Sequence, residues 1–109
     1  MVTESTKVNT VATNKHDRYV QKLSRQLKGR YDKIYHHFPL YGKKCKLGEV
    51  DILGVKGTNV DVYEVKCSFR IVKASKQLRR IKRLGILGMP VQNTYFYCGR
   101  SNQLLQVNF

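Results

Sequence analysis

The chain has 109 residues, enough for one domain with a buried core and no need of disulfide or metal staples. Its formal net charge of +14, from 21 Lys and Arg against 7 Asp and Glu, points to a polyanionic partner, and so to nucleic acid. No apolar run approaches the ~20 residues of a membrane span, and no apolar signal core is visible near the start. The three cysteines form no Cys-x-x-Cys pair, so neither a disulfide framework nor a zinc site is suggested. A reduced cytoplasmic setting is expected, that of a host cell if the protein is viral.

Residues 1–14, rich in Thr, Asn and Val, read as a flexible arm, with Asn14 placed to cap the next segment. From Lys15 to Lys28, Tyr19 or Val20, Leu23 and Leu27 recur at helical spacing until Gly29 stops the pattern. Residues 31–41 are aromatic and β-branched and suit a strand ending near Pro39. Within it, His36 and His37 should point to opposite faces, which argues against a shared metal. His16 reads as a surface or DNA-facing histidine. A basic loop carrying Lys43, Lys44 and Lys46 comes next.

Two β-prone runs, Leu47–Gly54 and Val60–Cys67, then meet around Gly57. Residues 71–84 return to helix, with Ile71, Ala74, Leu78 and Ile81 as the apolar stripe. Residues 91–99 and 103–109 suit two more strands. The expected order is α-β-β-β-α-β-β, in a single domain over residues 15–109.

A Gly57-Thr58 loop, glycine first as a type II′ turn prefers, makes opposed residues sum to 115. Asp51 then faces Glu64, and Glu49 faces Lys66, with opposed β-carbons ~5 Å apart. Val50, Ile52, Tyr63 and Val65 take the other, core-like face, although Asp61 falls there too. Two facing carboxylates repel each other unless a cation lies between them. Mg²⁺, with Mn²⁺ as substitute, suits a site of one or two carboxylates, waters and a substrate phosphate. Lys66 on the same face would stabilise charge at phosphorus or help deprotonate a water. A bound metal would also stabilise the leaving oxygen. This is the chemistry of phosphodiester hydrolysis. The alternative is a pair of ordinary carboxylates with Lys66 in a salt bridge.

Asp51 followed by Glu64-Val65-Lys66 resembles the signature of the PD-(D/E)XK nuclease superfamily, and Gly48-Glu49-Val50-Asp51 is similar to a run in several of its members. The resemblance implies an α/β, restriction-endonuclease-like core: α-β-β-β-α-β with a mixed central sheet flanked by helices. Within the superfamily the chain is most similar to archaeal Holliday-junction resolvases, small, basic and dimeric. That likeness implies a homodimeric, metal-dependent endonuclease acting on branched or four-way junction DNA. By resemblance, Asp51, Glu64 and the Val65 carbonyl hold the metal. Lys66 serves the hydrolytic water or the phosphate. Asp17 adds an outer carboxylate where the family usually has Glu, and Arg18 a phosphate contact. Glu49 is the other candidate for the accessory acid, or a partner for Lys66.

The second helix carries Lys73, Lys76, Gln77, Arg79, Arg80, Lys82 and Arg83 with no acid among them, a pattern that suits phosphate contact. Lys73, Gln77 and Arg80 share one stripe, and Gln77 resembles a glutamine that approaches the active site in many of these nucleases. Lys43, Lys44 and Lys46 extend the track. Tyr95, Phe96 and Tyr97 are expected in the core rather than as stacking residues. No base-reading module is visible. Two other readings stand beside the resolvase: a nuclease of the same superfamily acting on nicked, flapped or plain duplex DNA, and a non-catalytic basic nucleic-acid-binding protein.

Overall fold

Asn14 opens the described part of the chain: the computed structural model describes residues 14–109. The arm expected over residues 1–14 therefore lies, apart from Asn14, outside the described residues. The Asn14 side chain accepts a hydrogen bond from the Asp17 amide at 2.8 Å and so starts helix α1, Lys15–Gln26. Val20 and Leu23 on its inner face, and Leu27 just beyond its end, are fully buried. Each such side chain contributes roughly 1.5–3 kcal/mol by leaving water.

Strands β1 (Lys33–Tyr41), β2 (Lys46–Lys56) and β3 (Asn59–Lys66) come next, then helix α2 (Ile71–Leu84), β4 (Val91–Cys98) and β5 (Gln103–Gln106). The chain is α/β, and its described residues form a mixed five-stranded sheet in the order β1-β2-β3-β4-β5. Among them β3 and β4 alone run parallel, and α2 makes the crossover between them. α1 packs on one face through Ile52, Tyr63, Val65 and Tyr97, and α2 on the other through Leu53, Val60, Val62 and Phe96.

Gly57 has φ +60, as the first turn position requires, and the β2–β3 pairs sum to 115 from Lys56↔Asn59 to Ile52↔Tyr63. Pro39 does not end its strand. β1 is an edge strand, where a missing N–H is tolerated, and it continues to Tyr41. The strict alternation expected in β2 also fails. Ile52 packs with α1, whereas Val50 packs with Leu78 and Ile81 of α2. The neighbouring strand shifts at the same level: Ile34 faces α1, Phe38 faces the α2 cluster, and His37 between them has φ +51. A single left-handed residue thus changes which face the strand presents.

Asp61, out of place on an apolar face, is accounted for by its partners. Its Oδ1 accepts from the Asn93 backbone and side-chain N–H groups, and its Oδ2 from the Tyr31 hydroxyl. Cys45, Cys67 and Cys98 are all free thiols. Among the described residues no helix is long and apolar enough to cross a membrane.

Candidate active site

The β2–β3 ladder stops at Ile52↔Tyr63. Beyond it β2 stays with β1 (Val50↔Phe38, Glu49↔Pro39), while β3 stays with β4 (Glu64↔Phe96, Lys66↔Cys98). Asp51 and Glu64 sit at this fork. The direct cross-strand pairing expected of Asp51 with Glu64, and of Glu49 with Lys66, is therefore replaced. The Asp51 carboxylate turns into the gap, and its Oδ2 accepts the Val65 backbone N–H at 2.9 Å. A side chain has taken a ladder position.

Glu64 is 3% exposed. Its Oε2 lies 3.1 Å from Lys66 Nζ, and its Oε1 is buried without a hydrogen-bond partner among the described residues. Burial first, then the nearby Asp51 charge, pushes the Glu64 carboxyl up to about 7, with Lys66 and His16 pulling partly back. Buried oxygens are rarely left unpaired. One on a residue at a fork that also holds a second acid and a peptide carbonyl fits a hard divalent cation. Asp51, Glu64 and the Val65 carbonyl are the groups that would hold it. Among the described residues no three His, Cys, Asp or Glu side chains converge as a metal-holding group.

His16 joins this site, which corrects its reading as an unconnected surface histidine. The first turn of α1 brings its Nε2 to 3.0 Å from the Val65 carbonyl, to which the N–H donates, and to 3.4 Å from Asp51 Oδ2. The Asp51 contact raises the imidazole above its ordinary value, against an opposing effect of burial. His37 lies beside it, ring centroids 6.3 Å apart. The left-handed backbone aims His37 at both candidate accessory acids, with Nε2 3.5 Å from Asp17 Oδ1 and Nδ1 3.8 Å from Glu49 Oε1. Glu49 pairs with Lys46 at 2.6 Å rather than with Lys66. His36 turns instead to Ser24, 2.7 Å away. No periodicity links His16 to Val65, 49 residues apart, so only the Asn14 cap hinted at where that helix would start.

Arg18, Lys43, Lys44, Lys73, Lys76, Arg80 and Arg83 are all exposed. α2 has no acid in its first turn and no side-chain cap, so its dipole adds to the positive field of its own residues. Gln77 is half-buried and shares a cavity of about 70 Å³ with Leu47, Gly48, Glu49 and Arg80. Its Oε1 has no partner among the described residues. Comparison with known proteins finds no matching family model and no matching curated protein.

Proposed function

We propose that the chain is a metal-dependent DNA endonuclease with a restriction-endonuclease-like core, of the PD-(D/E)XK type and selective for four-way junctions. The observation that carries this reading is the buried Glu64 oxygen without a partner among the described residues, on a carboxylate that feels the Asp51 charge and bonds Lys66 through its other oxygen, at the fork of β2 and β3. An antiparallel β1–β2–β3 meander, followed by α2 and a parallel β4, supports the fold assignment.

In the hydrolysis, a water oxygen bonds to phosphorus, and the bond from phosphorus to the leaving sugar oxygen breaks as that oxygen gains a proton. Mg²⁺, held by Asp51, Glu64 and the Val65 carbonyl, would supply positive charge against the phosphate. Asp51 accepts the Val65 N–H and the His16 ring N–H donates to the Val65 carbonyl, so both backbone groups of that residue are tethered at the fork. The Lys66 ammonium, anchored by Glu64, donates to a non-bridging phosphate oxygen. His16 supplies a further nitrogen beside the same carbonyl. Asp17, held by His37, is the outer carboxylate, and Arg18 on the same exposed turn meets a neighbouring phosphate. The α2 cations and the Lys43–Lys44 loop run along the DNA backbone. Such contacts position an enzyme without reading bases, so selectivity rests on DNA shape. A twofold dimer would present two such sites to the symmetric strands of a junction.

The test is cleavage of labelled four-way junction against linear duplex, with Mg²⁺ or Mn²⁺ and then with chelator. Paired symmetric nicks that require metal, and that Asp51→Asn abolishes while junction binding persists, are expected. Equal cutting of nicked, flapped or linear duplex would assign another substrate. Binding without cleavage under either metal would leave a basic DNA-binding protein.

A further inference from the structure

A second polar cavity lies on the α1 face of the sheet, past the C-terminal end of that helix and on the turn side of the last β2–β3 rung, Ile52↔Tyr63. It encloses about 270 Å³ and is lined by Arg30, Tyr31, Lys56, Asn59, Asp61, Tyr63, Gln92, Tyr95 and Leu104. Its floor is aromatic. Tyr63 and Tyr95, side by side on β3 and β4, stack with centroids 4.6 Å apart and planes at 14°. Tyr31 meets Tyr63 edge-on at 84°. Tyr63 is buried, whereas Tyr95 is only partly covered, unlike Phe96 and Tyr97 beside it in sequence. Of the three aromatic residues expected in the core, Tyr95 thus keeps an accessible ring.

From this cavity we propose a binding site for a single unpaired nucleobase, with its phosphate taken by Arg30 and Lys56. The ring of Tyr95, backed by Tyr63 and flanked by the exposed Leu104, is a stacking platform. The amides of Asn59 and Gln92 offer both donors and acceptors to a base edge. Asp61 keeps its charge while accepting from Tyr31 and Asn93, and against that one carboxylate Arg30 and Lys56 leave the lining net positive. The volume is just under the ~300 Å³ at which drug-sized ligand pockets begin, which suits one base rather than two. An aromatic cage for a quaternary ammonium is disfavoured by the same two cations. On a branched substrate such a site would take a base freed at the branch point. To that extent it rests on the nuclease reading, but base binding itself does not.

Binding is measured in chelator, where no metal-dependent cleavage occurs, with single-stranded oligonucleotides carrying one 2-aminopurine. The chain has no Trp, so the probe reports without protein background. Quenching of the unpaired probe, and none of the same probe in duplex, is expected. Tyr95→Phe should keep the quenching. Tyr95→Leu should remove it and weaken single-strand binding roughly tenfold, with duplex binding unchanged and a lower Tm from the lost stack on Tyr63. Arg30→Gln should weaken dAMP binding. Unaltered quenching in Tyr95→Leu, or displacement by tetramethylammonium and not by dAMP, would overturn the site. Because cleavage plays no part in the readout, failure here leaves the nuclease reading standing, and a chain that stacks a base but never cuts sinks only the latter.

Discussion

The Asp51 carboxylate and the Val65 amide, 14 residues apart in sequence, are joined by a 2.9 Å hydrogen bond at the point where two strands separate. The bond has two effects. It satisfies a buried N–H that the ladder has abandoned, and it holds a negative charge near Glu64.

The two effects can be separated by substitution. Asp51→Asn keeps an oxygen that can accept the Val65 N–H but loses the charge. It should abolish metal-dependent cleavage, with little change in Tm, and should bring the Glu64 titration down from about 7 as followed by side-chain carboxyl NMR. Asp51→Ala leaves the Val65 amide unpaired and should also cost about 1–3 kcal/mol in denaturant unfolding.

Glu64 makes stability pH-dependent in a fixed direction. Its folded value, about 7, lies above its ordinary value of 4.5, so between these the folded chain binds more protons than the unfolded one. Its contribution is therefore complete below about 4.5 and is lost as pH rises through about 7. Glu64→Gln removes this loss. It should raise Tm relative to wild type at pH 8 and have little effect at pH 4, as checked by calorimetry in chelator. Added Mg²⁺ should stabilise the wild type at pH 8 and leave Glu64→Gln nearly unchanged. An equal Tm difference at both pH values would contradict the burial of the charge.

A basic group at the same fork gives a pH dependence of the same sign. His16 is raised by its Asp51 contact, so its stabilisation is full below its ordinary value of 6.5 and fades as pH climbs through the higher folded value. His16→Ala should cost about 1 kcal/mol near pH 6, since the ring is partly exposed, and less at pH 9.

On α2, neutralising Lys73, Lys76 or Arg80 should weaken binding to junction and duplex alike. Each substitution should reduce the slope of log K against log salt by about 1. An unchanged slope for all three would remove α2 from the DNA surface.

Gly99 supports α1 from below. A Cβ there would fall within the Tyr19 ring. Gly99→Ala should therefore cost about 1–3 kcal/mol by overpacking, and Gly99→Ala with Tyr19→Leu should recover much of it in urea unfolding.

The local part of this architecture was readable because it is written in short-range chemistry. Asn14 caps, Gly57 turns, and the apolar stripe from Ile71 to Ile81 fixes α2 over its observed span. The pairing sum of 115 comes from the turn alone. That rule could not indicate where the pairing would cease, because the end of the ladder depends on the Asp51 side chain competing for a backbone donor. The left-handed turn of His37 carries no usable sequence signal either: histidine adopts that backbone more readily than most non-glycine residues, but still in a small minority of cases. The approach of His16 to Val65 is set by how α1 docks, a tertiary fact. The exposed cations, by contrast, are legible from composition and need no fold to be noticed.

The parting of β2 from β3 implies a conflict between robustness and chemistry. A chain that zipped two further rungs past Ile52 and Tyr63 would gain backbone bonds and lose the gap into which Asp51 now turns. Selection for a sturdier sheet would push towards closing that seam. On the proposed nuclease reading, laboratory evolution for heat tolerance alone should therefore yield well-folded descendants that no longer cleave DNA.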